Sequence, residues 1–330
     1  MNQLNVITLF LFNVVVYNIA LLYGTVGEIL TEKSGSLNLG LEGTMAVGAI
    51  GGYIFGCMTD SLLVGIIASF ICAGICGLIF AVLTVSLHAN QNVTGLTVTT
   101  FGVGLYFFIG KGFGENWPVM QKCERLMGSI AAIKIPLLSD IPVIGKALFS
   151  HNILVYLGFI IAILVWIYLT KTKSGLKLRA VGENPSAADS VGINVTLTKY
   201  MGIIAGSGIA GIGGYQMGLN LGGSFEGMNC WIGGYGWIAI ALVIFVNWSP
   251  AIAIIGTMVF GFFNTLQVYG GALASAFPKT LGWLGPIPSQ LYQALPFAIT
   301  AIILVINSVK KKKNNRQPAA IGVGYFREDR

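Results

Sequence analysis

The first twenty-seven residues, Met1 to Gly27, contain no acidic or basic side chain, and long uncharged apolar runs recur along the chain. About 20 apolar residues, wound as an α-helix, match the ~30 Å hydrocarbon core of a bilayer. Charged residues make up 9% of the chain, against roughly 25% in soluble domains, and the mean hydropathy is +0.79. The pattern predicts an all-α, polytopic transmembrane bundle. Its spans fall at about 6–27, 39–58, 62–87, 93–112, 151–170, 199–219, 234–248, 250–271 and 289–308, about nine in all. The fourth could instead dip into the membrane and return, and the seventh is short. No Lys or Arg precedes Lys33 and no cleavage motif follows the first run, so it reads as a span and not as a removable signal.

Lys and Arg set the orientation. The loop 171–199 carries Lys171, Lys173, Lys177, Arg179 and Lys199 against Glu183 and Asp189, and the tail carries Lys310, Lys311, Lys312, Lys313 and Arg316. Basic loops stay on the cytoplasmic side. Four predicted spans, an even number, separate these two segments, so both are expected inside and the N-terminus outside. The outer loop 113–150 runs mildly against this with Lys122, Arg125, Lys134 and Lys146, partly balanced by Glu115, Glu124 and Asp140. The membrane domain then covers 1–309, and 310–330 is a basic cytoplasmic tail expected to be disordered. The net charge of +7 resides in loops and tail, which is a membrane pattern and does not suggest nucleic-acid binding.

Small residues recur every four positions in three spans: Gly40, Thr44, Gly48, Gly52 and Gly56; Gly65, Ser69, Ala73, Gly77 and Ala81; Gly202, Gly206, Ala210, Gly214, Gly218 and Gly222. Such stripes let backbones approach closely inside lipid. The cysteines, Cys57, Cys72, Cys76, Cys123 and Cys230, form no CxxC pair and read mostly as packing residues. Cys123 and Cys230 both fall on the expected outer side, which leaves a disulfide between them open. The run LEGTMAVGAIGGYIF echoes WIGGYGWIAIALVIF. The first starts inside and the second outside, as inverted repeats of transporters do, although composition alone could produce the likeness.

No GxxxxGK[ST], HExxH or GxSxG motif is present, so the chain lacks the corresponding nucleotide, zinc and serine chemistry. His88 and His151 fall at predicted span ends, and no metal site is indicated. Polar groups at membrane depth are more informative because they are costly there. Three interruptions stand out. Glu28, Glu32, Lys33, Asn38 and Glu42 lie between the first two spans; a solvated turn accounts for the first three, while Asn38 and Glu42 begin a span. Asn90, Gln91, Asn92, Thr94, Thr97, Thr99 and Thr100 open the fourth span. They suit a path for an uncharged polar solute, or else bond their own helix. Glu226, Asn229, Trp231, Tyr235 and Trp237 lie in a Gly-rich stretch on the expected outer side, as an interfacial belt or as rings stacking on solute. The candidates for a substrate path are Asn38, Glu42, Asn92, Thr94, Thr97, Trp231 and Tyr235. An ATP-independent transporter would need an ion-coupling acid, for which Glu28, Glu42 and Glu226 are the candidates.

The basic loop 171–199 contains a short helix signal. Asn184 is an N-cap, Pro185 the first helical residue, and Gly192 the stop. A capped helix between spans reads as a docking surface.

Three stretches carry a family resemblance: EKSGSLNLGLEGTMAVGA, NQNVTGLTVTTFGVGL and LRAVGENPSAADSVGINV. They resemble the bacterial ABC-importer permeases of the nucleoside and simple-sugar (ribose-type) class. More narrowly, they are similar to the shorter of the two permeases that work with a basic membrane lipoprotein in nucleoside uptake. The resemblance covers roughly residues 20–308, and its most specific part is Glu-Asn-Pro followed by Ala-Ala-Asp and Gly-Ile. It implies a multi-pass subunit of the bacterial cell membrane that is not an enzyme and holds no cofactor, ATP being bound by a partner. The implied partners are an ABC ATPase subunit, a second permease subunit, an extracytoplasmic substrate-binding lipoprotein, membrane lipid and a small-molecule solute. Glu183, Asn184, Pro185, Ala187, Ala188, Asp189 and Gly192 would form the ATPase coupling helix. Branched-chain amino-acid permeases share the broader fold, so nucleosides, ribose-like sugars and branched-chain amino acids remain as cargo classes. The outer loop 113–150 lies outside the matched motifs.

Overall fold

The computed structural model describes residues 3–113, 144–221, 230–288 and 317–326, together with isolated positions between 133 and 141 and between 290 and 305. The architecture is helical. In chain order the helices are α1 Gln3–Lys33, α2 Leu41–Thr59, α3 Leu62–Ala81 (continued by a π-helical turn, Val82–Ser86), α4 Gln91–Phe113, α5 Ile144–Phe149, α6 Ile153–Lys171, α7 Lys173–Glu183, α8 Pro185–Ser190, α9 Val195–Asn220, α10 Tyr235–Phe245 and α11 Pro250–Ala276. A two-residue antiparallel pairing of β1 Ile133–Lys134 with β2 Ser150–His151 is the sheet found among the described residues. Among the described residues seven helices are long and apolar enough to cross a membrane: α1, α2, α3 with its π turn, α4, α6, α9 and α11. The fourth expected span is a continuous 23-residue helix. The expected ninth span, 289–308, lies mostly outside the described residues, as does most of the loop 113–150.

The centre is built by α1, α2, α3 and α9, around the buried rings of Tyr23, Tyr106 and Tyr215. The glycine stripes work at contact distance. A Cβ on Gly27 of α1 would strike the backbone carbonyl of Gly206 in α9. One on Gly48 of α2 would overlap the backbone of Gly211. Without a hydrophobic drive between helices in lipid, this approach supplies the van der Waals contact that holds them.

Two helices start inside the bundle. A Cβ on Gly43, in the first turn of α2, would meet the backbone at Val98 and Thr99, and Gly102 lies against Gly43 in turn. Those residues lie roughly 10–16 Å along α4 at ~1.5 Å per residue, so α2 begins near the middle of the membrane-length α4. The seventh expected span is an 11-residue helix, α10, about 16 Å long and thus half a bilayer. Its C-terminus turns through left-handed Asn247 and Trp248 into α11.

Three expectations change. Glu28 and Glu32 are not in a solvated turn: they are 1% and 2% exposed, because residues 34–40 fold back over the end of α1. The Glu28 carboxylate accepts from the Asn38 N–H at 3.3 Å, and that of Glu32 accepts from the Trp248 indole N–H. The basic loop 171–199 is largely helical, since α7 precedes the expected short helix, capped by Thr172. Cys230 is a free thiol whereas Cys57 is disulfide-bonded, which excludes a Cys123–Cys230 pair.

Candidate functional site

Two places bring the candidate residues together. The first is the α7–α8 corner. The Asn184 side chain accepts from the Ala187 N–H at 3.0 Å and Pro185 occupies the first turn, so α8 is capped as its sequence reads. Gly192 has φ +84°, and the Gly192 and Ile193 N–H groups return to the carbonyls of Asp189 and Ala188. That left-handed residue closes the helix at low strain. Ala188 is buried against Val181 and Val195, with Tyr325 packed on the cluster. Glu183, Asn184, Ser186, Ala187 and Ser190 are exposed, and Val191 is 76% exposed. The short helix thus offers a small-residue outer face on a packed inner one.

Part of the tail rests on this corner. The Ala319 N–H donates to Glu183 Oε2 at 3.2 Å and the Tyr325 hydroxyl to Asp189 Oδ2 at 2.7 Å. The Ala320 N–H reaches the Gly182 carbonyl at 3.0 Å, and the Phe326 ring lies 4.2 Å from that of His88. Residues 317–326 of the segment expected to be disordered are therefore held by α7 and α8, while 310–316 and 327–330 lie outside the described residues.

The second place is where α10 begins. Glu42, in the first turn of α2, accepts from the Gly234 N–H at 2.9 Å and the Gly236 N–H at 2.7 Å. A carboxylate at a helix N-terminus meets both unpaired N–H groups and the positive end of the dipole. The sequence places Glu42 on the cytoplasmic side and 220–237 on the outer side; the fold brings Glu42 and the first turn of α10 to one mid-bundle point, while 222–229 lie outside the described residues. Asn38 is buried and structural: its Oδ1 accepts from the Gly40 N–H at 2.9 Å. Trp231 is packed edge-on to Tyr53 and Tyr106, with centroids at 5.0 and 5.4 Å, so it is core and not a stacking platform. Tyr235 lies near this junction and its hydroxyl accepts from the Asn264 amide. Asn92 and Thr97 are exposed on α4, and the Thr97 hydroxyl bonds the Val93 carbonyl of its own helix. Thr94 is buried there. These three do not join the Glu42–Tyr235 junction.

Residues passed over in the sequence matter here. Asn18 of α1 and Asn264 and Gln267 of α11 face the same interior space as Tyr235. Their signal is an amide inside a long apolar run, the type of residue that lipid penalises. Among the described residues no cluster of three His, Cys, Asp or Glu side chains could hold a metal ion.

The fold and these sites define a multi-pass membrane protein with polar groups gathered inside the bundle and an exposed capped helix at one end. The chain belongs to the family described as branched-chain amino acid transport system / permease component, whose model matches residues 10–304. It is a transport subunit, which sets aside the ATP-independent transporter weighed from the sequence. It is 32% identical to a nucleoside ABC transporter permease protein of Lactococcus lactis, over 99% of both chains. A guanosine ABC transporter permease protein of Bacillus subtilis is 31% identical over 96% of this chain and 95% of its own. A putative glucose ABC transporter permease protein of Haloferax volcanii is 31% identical over 93% and 94%. No solved structure matches the chain.

Proposed function

We propose that this chain is the permease of an ATP-binding-cassette importer for nucleosides, with ATP hydrolysed on a separate subunit. The observation that carries the reading is collinearity with two nucleoside-type permeases over almost the whole chain. The reading includes an N-terminus outside, nine spans with a possible inverted repeat, and 184–192 as the coupling helix. The positive-inside pattern supports the orientation, and the capped, outward-facing α8 supports the docking role. The partners are an ABC ATPase, a second permease subunit and an extracytoplasmic binding lipoprotein. Glu183, Asn184, Pro185, Ala187, Ala188, Asp189 and Gly192 form the coupling element, whose exposed side meets the ATPase while Ala188 seats it on the bundle. ATP-driven closure would pull α8 and tip the bundle between its two access states.

The test is uptake of a labelled nucleoside by the assembled importer, competed with nucleosides, ribose, glucose and leucine. Competition by nucleosides alone is expected. The glucose-type relative gives a sugar permease as the second reading, and competition by glucose or ribose instead would establish it. Replacing both Glu183 and Asp189 by Lys is expected to abolish ATP-dependent uptake; full uptake and assembly in that variant would remove the docking role.

A further inference from the structure

Beside the Glu42 junction lies a cavity of about 400 Å³, walled by α1, the start of α10 and α11. Its volume lies within the ~300–1,000 Å³ of small-molecule sites, which are mostly apolar with a few placed polar groups. The polar side chains among its described lining are all uncharged: Asn18, Tyr235, Trp237, Asn264, Gln267 and Tyr292, the last with its hydroxyl already given to the Leu284 carbonyl. Asn264 and Gln267, three apart on α11, share one helix face.

Two of these amides have unused capacity. Asn18 is 1% exposed; its Nδ2 donates to the Val14 carbonyl, while its Oδ1 is buried without a partner. A Cβ on Gly261 would collide with that amide, so α11 leaves room for it. Gln267 is half-buried and makes no hydrogen bond among the described residues. A buried carbonyl without a donor is a standing penalty, and at membrane depth such groups mark solute paths. Asn264 is aimed by its bond to the Tyr235 hydroxyl.

The charge arrangement narrows the ligand. The N-terminus of α10 borders the cavity through Gly233 and Gly234, and a bare helix N-terminus attracts anions. Here Glu42 already occupies the N–H groups of Gly234 and Gly236, so that field is cancelled. What remains is donors and acceptors without net charge, with Trp237 and Phe260 also in the lining. Aromatic faces suit a planar ring.

We propose that this cavity is a solute-contact site on the translocation path, taking a neutral planar heterocycle with both donors and acceptors, the base of a nucleoside. The Gln267 amide bonds one position on the base edge, and the Asn264 side-chain carbonyl, whose NH2 is held by Tyr235, accepts from an exocyclic amine or ring N–H at a second. The assignment rests on the nucleoside reading above, and the test separates the two.

The experiment uses the complete importer in proteoliposomes and measures nucleosides moved per ATP hydrolysed for wild type, Gln267→Leu, Gln267→Asn and Asn264→Leu. Loss of one desolvated hydrogen bond predicts about a tenfold fall in nucleosides per ATP for the Leu variants. ATPase rate and subunit assembly stay at the wild-type level, and Gln267→Asn recovers part of the loss. The ATPase and assembly readings in the same preparation exclude misfolding, and Gln267, half-buried at the cavity wall, tolerates an apolar replacement. If wild type carries nucleosides and both Leu variants match it, the cavity assignment falls alone. If wild type carries a sugar and no nucleoside, the nucleoside reading falls and takes the base assignment with it.

Discussion

At the residue scale, the most informative side chain is Glu42. Its two oxygens take one backbone N–H each, from Gly234 and Gly236, and so tie the first turn of α2 to the first turn of the half-length α10. A carboxylate can do this because both oxygens accept; an amide of the same shape turns one acceptor into a donor facing an N–H. Glu42→Gln is therefore expected to destabilise the protein by about 1–3 kcal/mol. The reading is a lower unfolding midpoint in detergent, and an unchanged midpoint would show that this junction does not hold α2 to α10. His151 is a second case, outside the long spans. One ring nitrogen, Nε2, donates to the Ala147 carbonyl at 2.7 Å, and Nδ1 is buried without a partner. The ring stacks on Phe12 at 4.6 Å. Burial pushes its pKa below the ordinary value, against a smaller opposing effect of the Ala147 bond. The folded state thus holds the neutral ring while the unfolded chain takes up a proton near pH ~6.5. Stability from this group is present above that pH and lost as pH falls through it towards the lower folded value. The unfolding midpoint should decline between pH 7.5 and 5.5, and His151→Gln should flatten that decline.

At the element scale, α8 shows what local sequence controls. Asn184, Pro185 and Gly192 each act through the backbone of their own helix, as N-cap, first-turn residue and left-handed stop. Asn184→Ala removes the bond to the Ala187 N–H and should cost about 1 kcal/mol of local stability. It is read as faster hydrogen exchange across 185–190 and, in the assembled importer, as less transport per ATP; unaltered exchange would mean the cap does not hold α8. This helix was legible because its signals lie within nine residues. The long spans were legible for a related reason: length and lack of charge suffice to define them. Helix α7 was hidden because Lys173, Lys177 and Arg179 mask a thin buried stripe of Leu178 and Val181. The Glu42–Gly234 junction was hidden for a deeper reason. Its partners are 192 positions apart, and each falls at a predicted span end, on opposite sides. Nothing in a periodicity says that a span will start halfway through the membrane. The packing of Trp231 is hidden in the same way, since aromatic residues near a predicted span end look alike whether they face an interface or fill a core.

At the scale of the whole molecule, the question is what the tail does to the corner it covers. Residues 319 and 325 occupy Glu183 and Asp189, while Ala187 stays exposed and Val191 is 76% exposed. The tail therefore grips the inner flank of α8 and leaves its outer face open. A six-residue helix has too few turns to hold itself in place. Its position depends on Ala188 packing against Val181 and Val195 and on Tyr325 closing that cluster. A partner docking on the outer face meets a surface that the tail keeps rigid, and ordering that surface in advance lowers the entropy lost on binding. Deleting residues 317–330 is expected to weaken retention of the ATPase subunit several-fold, with Tyr325→Phe weakening it less, because the mutant ring still fills the cluster after losing the bond to Asp189. Co-purification of the ATPase with full-length and truncated permease, paired with hydrogen exchange over 184–192, measures both parts. Tighter retention by the truncated chain would mean that the tail blocks the docking face instead of bracing it.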